Sequence, residues 1–122
     1  MKGVMTLGCV ALASIAVSAG AQNAPAPTGS AERGQQLFMQ KMCYTCHGTV
    51  GQGGERGTGP RIAPTQWPYE AFAQQVRHPR QDMPRYAAKF VSDQELADIY
   101  AYVKTIKESR PAREIDLLSK AP

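Results

Sequence analysis

The sequence predicts an all-α domain, and three observations carry that reading. Ser92-Asp93-Gln94-Glu95 has the form of a capping box, and Leu96, Ile99, Val103 and Ile106 follow at the spacing of one helix face. Ser30, with Glu32 close behind it, marks a second helix start, because a hydroxyl satisfies free backbone N–H groups and an acid suits the first turn. No strong strand pattern of alternating apolar and polar residues interrupts these segments.

The N-terminus is expected to lie outside the domain. Lys2 supplies a positive start, Val4 to Val17 is apolar or small without a charge, and Ala19-Gly20-Ala21 offers a small-residue cleavage site. Residues 1–21 therefore read as a secretory signal peptide cut after Ala21. The run is short of the ~20 residues that span a bilayer, so no membrane span is expected in the mature chain. Cys9 lies within this run and is expected to leave with it. Residues 22–29 are a short linker, 30–107 the domain and 108–122 a tail containing the apolar Ile115-Asp116-Leu117-Leu118.

The first helix is expected from the Ser30 cap to about Met42, with Leu37, Phe38, the Lys41 stem and Met42 on its apolar face. Gly34 sits one turn earlier. Glycine inside a helix costs about 1 kcal/mol against alanine, tolerable where another helix must pass very close. Gly48 to Gly59 is loop, and without a Gly-Lys-Ser/Thr ending or a preceding strand it is no phosphate cradle. Pro68 opens a shorter helix as its first residue, Phe72 and Val76 give it an apolar face, and Pro79 ends it. Val91 and Leu96 form a hydrophobic staple on the last helix, and Pro111 stops any continuation.

The chemistry lies between the first two helices. Once Cys9 has left, two cysteines remain, in the run Cys43-Tyr44-Thr45-Cys46-His47. This C-x-x-C-H string is the attachment signature of c-type haem. Two thiols three positions apart reach the two vinyl groups of one porphyrin, and the adjoining His47 meets the iron as proximal ligand. A thioredoxin-like C-x-x-C belongs beside a βαβ pattern, which is missing here. A structural zinc site needs four ligands, and only His78 remains beyond the triplet. One motif and no internal repeat imply one haem.

The sixth ligand separates a carrier from a catalyst. Met39 and Met42 precede the motif on the same helix and are tethered to the attachment edge. Met83 lies 36 residues beyond His47, between Pro79 and Pro84, in a loop long enough to return over the opposite haem face. The prolines stiffen it. Met/His ligation is an electron-transfer arrangement. His78 is the rival, although beside Pro79 it also reads as a helix cap or a surface residue.

With these residues in place the sequence resembles the class I cytochrome c family over residues 30–107. The motif Cys43–His47, Gly59-Pro60, Met83-Pro84, and Gly34 and Phe38 against Ile99 and Tyr102 carry the resemblance. It implies three or four helices wrapped around one covalently bound haem c. It also implies that the Pro60 carbonyl accepts a hydrogen bond from the His47 imidazole. Trp67 matches either a family tryptophan that contacts a haem propionate or an aromatic packing at a helix start.

The function expected is an exported one-electron carrier and not an enzyme, either a diffusible shuttle or the haem subunit of a periplasmic dehydrogenase complex. Its partners are then a redox protein donor and acceptor: a periplasmic dehydrogenase, an oxidase or another cytochrome. An open-site haem enzyme or gas sensor needs Met83 off the iron, and a thiol–disulfide module needs Cys43 and Cys46 free. The net charge of +4 is mild and carries no long basic run, which disfavours nucleic acid. Arg77, Arg80, Arg85 and Lys89 surround the methionine loop, with Asp82 the one acid among them, and are expected to steer an acidic partner.

Overall fold

A computed structural model describes residues 27–116 of the chain. The expected signal peptide with Cys9, most of the linker and the Leu117-Leu118 end of the tail lie outside the described residues. Helix α1 spans Ala31–Gln40, α2 Tyr44–His47, α3 Tyr69–Arg77 and α4 Asp93–Thr105. Single 3-10 turns occur at Glu55–Gly57 and Ala112–Glu114. There is no strand among the described residues.

α1 starts where the sequence places it, with the Ser30 hydroxyl accepting from the Arg33 N–H. It ends two residues before Met42. Lys41 leaves helical geometry, and Met42 takes a left-handed φ of 64° that turns the chain into α2. The turn also swings Met42 off the expected apolar stripe, and its side chain is exposed. Leu37 and Phe38 keep the buried face.

α4 carries both bonds of its capping box: the Ser92 hydroxyl accepts from the Glu95 N–H, and the Glu95 carboxylate accepts from the Ser92 N–H at 2.7 Å. Val91 and Leu96, each 1% exposed, form the staple behind it. The helix stops at Thr105, before Pro111 is reached.

α1 and α4 cross at Gly34. A Cβ there would overlap the backbone carbonyl of Asp98 and the Tyr102 side chain, so the helices touch backbone to backbone. The Phe38 and Tyr102 rings meet beside this point, centroids 5.6 Å apart. Asp98 is fully buried at the crossing, where it accepts from the Ser30 N–H at 2.8 Å, from Arg33 Nε and from Gln94 Nε2 at 3.2 Å. Phe38, Leu96, Ile99 and Val103 fill the core below.

α3 begins one residue later than expected. Pro68 stands as its N-cap, outside the helix, and its carbonyl accepts from the Phe72 N–H. Phe72 and Tyr69 pack on Tyr100 of α4, with centroids 5.3 and 5.4 Å from it. His78 caps the end through its N–H to the Gln74 carbonyl, and its side chain is exposed.

Candidate haem-binding site

Helix α2 is one turn long, and all three attachment residues lie on it or at its cap. The Cys43 N–H continues the hydrogen bonding of α1 by reaching the Phe38 carbonyl at 3.0 Å, so the motif is fixed directly to the helix pair. The Thr45 hydroxyl donates to the Met42 carbonyl at 2.7 Å and closes the turn. Cys43 and Cys46 are both partly buried and form no disulfide. Burial pushes the Cys43 thiol up to about 11, so it is a neutral thiol at neutral pH.

The loop that follows folds back onto this helix. Gly53 N–H donates to the His47 carbonyl at 2.8 Å. Gly54 and Gly59 press on the Cys46 carbonyl so closely that a Cβ at either would collide with it. The Tyr102 hydroxyl ties the loop to α4 through the Thr49 carbonyl. This folding brings the Pro60 carbonyl 2.8 Å from His47 Nδ1, the contact implied by the family resemblance. An Nδ1–H donated to a carbonyl leaves the Nε2 lone pair available for a metal and fixes the ring's orientation. His47 itself is buried.

Met83 is half-buried in the segment between α3 and α4, and Gln75 Nε2 of α3 lies 3.9 Å from its sulfur. Tyr44, Ile62, Tyr69, Ala73, Val76, Tyr86 and Ile106 pack on the core while remaining partly exposed. Two free thiols, an imidazole whose Nδ1 faces a carbonyl and a thioether form a donor set that fits a covalently attached porphyrin. They do not fit a hydrated ion, and no three His, Cys, Asp or Glu side chains gather as a metal cage among the described residues.

Trp67 is 53% exposed, so it is not an aromatic packed at the start of α3. Its backbone carbonyl accepts from the Tyr100 hydroxyl at 2.8 Å. Arg77 departs from the expected basic surface. Its side chain is only 16% exposed and is engaged internally, with Nη1 donating to the carbonyls of Tyr86 at 2.8 Å and Val91 at 2.7 Å. Sequence reading missed this because an arginine in the last turn of a helix looks like a solvated charge. Asp98 was missed as well, although a lone carboxylate inside the apolar run Leu96-Ala97-Asp98-Ile99 was a legible signal of a buried polar anchor.

Helices without strands among the described residues, a C-x-x-C-H turn and a carbonyl-held imidazole together define a haem-attachment protein. Residues 29–103 match the family model described as "Cytochrome C oxidase, cbb3-type, subunit III". The chain belongs to this family of c-type cytochromes, whose cofactor is covalently bound haem c. Members are electron-transfer proteins rather than enzymes. Among similar proteins is the cytochrome bc1 complex cytochrome c subunit of Corynebacterium diphtheriae, 35% identical over 80 residues, or 63% of this chain. The chain spans about a quarter of that relative's length, 27% of it being covered. Cytochrome c-555 of Methylococcus capsulatus is 27% identical over 114 residues, covering 93% of this chain and 92% of the relative.

Proposed function

We propose that this chain is an exported one-electron carrier with one haem, anchored by Cys43 and Cys46 and held axially by His47 and Met83. The observation that carries the reading is the 2.8 Å contact of His47 Nδ1 with the Pro60 carbonyl, which would reserve Nε2 for the iron. The haem supplies a one-electron iron couple. Cys43 and Cys46 would hold the haem through thioether bonds, each S–H adding across one vinyl C=C, with the sulfur on one carbon and the hydrogen on the other. Met83 contributes a soft thioether, which favours the reduced state and raises the potential. With His47 and Met83 both holding the iron, no position would be left for a substrate. Trp67, exposed beside α3, is available to a propionate.

The segment 1–21 supports export, and export suits covalent attachment through two thiols. No helix among the described residues is long and apolar enough to cross a membrane. The likeness to cytochrome c-555 over nearly the whole of both chains supports a diffusible shuttle between a donor and an acceptor. The likeness to a bc1-complex subunit supports a second reading, in which the same domain serves inside a respiratory assembly. Co-purification from the native host separates the two, since a subunit brings its complex with it.

The test of ligation is spectroscopic. Ferric protein is expected to be low-spin, with the weak long-wavelength band of sulfur on haem iron. Met83→Ala removes the band and lowers the potential. A band kept in Met83→Ala but lost on changing Met39 or Met42 refutes the assignment, and so does low-spin protein that lacks the band and whose spectrum changes on His78→Ala.

A further inference from the structure

The geometry points to Arg77 as the positioning residue that holds the methionine loop closed, and so keeps Met83 on the iron against competing ligands. The inference rests on Met83 being the axial ligand.

The loop between α3 and α4 has little core of its own. Between Pro79 and Phe90 no side chain is fully buried, and Gln81 sits at a left-handed φ of 60°. Such a segment opens at low free energy unless polar contacts pin it. Those contacts come from the last turn of α3. Gln75 reaches the Met83 sulfur, the Val76 carbonyl accepts from the Tyr86 N–H at 3.1 Å, and Arg77 takes the rest.

The Arg77 guanidinium joins three points separated in sequence. Nη1 binds the Tyr86 carbonyl, three residues past Met83, and the Val91 carbonyl at the foot of α4, while Nη2 binds Asp93 at 2.7 Å. The fork thus closes both ends of the 86–91 segment onto α3, on a side chain largely withdrawn from water. Bonds from a charged donor to carbonyls are among the stronger hydrogen bonds, and more so when shielded. The Asp93 carboxylate is 84% exposed, so its ion pair adds little and the two carbonyl bonds carry the clamp. Lys41 supports the far side, with Nζ on the Phe90 carbonyl and its own carbonyl accepting from the Tyr86 hydroxyl. Lysine in place of Arg77 presents a point charge without the planar fork and cannot serve both carbonyls with the same geometry.

An exogenous ligand reaches the iron only when the loop opens, and its apparent affinity scales with the open fraction. The experiment is therefore an imidazole titration of ferric holoprotein, followed by loss of the sulfur–iron band. Arg77→Gln is expected to bind imidazole about tenfold more tightly than wild type, or more, a tenfold change being about 1.4 kcal/mol. Arg77→Lys should fall between the two and guards against loss of holoprotein in the first variant. Asp93→Asn should stay within about twofold, because the Asp93 carboxylate is itself exposed. Arg33→Gln, which loosens the α1–α4 crossing instead, should lower the melting temperature without changing imidazole affinity. Wild-type affinity in both Arg77 variants overturns the clamp. A wild-type spectrum without the sulfur–iron band, and unchanged by Met83→Ala, overturns the ligand assignment instead.

Discussion

Asp98 shows how one residue couples the start of the domain to its end. Its carboxylate is held below the usual carboxylate range, chiefly by the Arg33 hydrogen bond, against the opposing effect of burial, with the Ser30 N–H and Gln94 adding support. The pKa of the folded state therefore lies below the unfolded value near 3.9. The stabilisation is present above that value and is lost as pH falls through the folded pKa. Acid unfolding of the holoprotein should shift to lower stability below about pH 4 in wild type. Asp98→Asn should flatten that acid limb while lowering stability at pH 7 by about 2 kcal/mol, since charge-assisted bonds become neutral ones. Denaturant melts at pH 3 and pH 7 measure both. An equal loss at the two pH values would falsify the linkage.

At the scale of elements, the two terminal helices were the most legible part of the sequence. Their caps are local: Ser30, and Ser92 with Glu95, make the same backbone contacts wherever a helix begins, so spacing alone reveals them. The crossing was legible too, because Gly34 inside an otherwise good helix signals close approach. Gly34→Ala places a methyl against the Asp98 backbone rather than a movable side chain. It should lower the melting temperature by ten degrees or more, on the order of 2–3 kcal/mol of overpacking in a domain of this size. Calorimetry of the two holoproteins decides it. Other features depended on direction in space and escaped the pattern. The left-handed Met42 ended α1 early, and Pro68 stepped outside α3 because its carbonyl, not its ring, starts that helix. Arg77 was read as surface because its partners are backbone carbonyls, which have no sequence signature.

At the scale of the whole molecule, the other three members of the expected basic set stay around the methionine loop. With Arg77 withdrawn, Arg80, Arg85 and Lys89 are exposed there, and Lys89 Nζ lies 4.9 Å from the centre of the exposed Phe90 ring. Exposed charge of one sign steers encounter more than it tightens binding. Electron transfer with an acidic partner should slow as salt rises, with a screening length of about 8 Å at physiological ionic strength. Arg80→Glu with Lys89→Glu should slow association while leaving the potential nearly unchanged. A stopped-flow rate indifferent both to salt and to the reversals would remove the basic face as the contact. The candidate site was readable in the same uneven way at this scale. The attachment triplet lies within five consecutive residues, so the sequence displayed it whole, whereas the Pro60 contact depends on Gly53, Gly54 and Gly59 folding a loop back by more than ten residues.

The meeting of α1 and α4 has a topological consequence. Thr28 and Gln94 are joined by a hydrogen bond at 2.9 Å, although 66 positions separate them along the chain. Residues 28–94 thus form a nearly closed ring, whose clasp is the helix crossing and whose circumference carries the C-x-x-C-H turn and the methionine loop. Closing a ring of that size costs entropy that grows only with the logarithm of its length. The circumference can therefore lengthen, shorten or exchange its loops at small thermodynamic cost so long as the clasp holds. Within such an architecture the segments on the circumference can change with little effect on the clasp, while Gly34, Phe38, Asp98 and Tyr102 keep the circle shut.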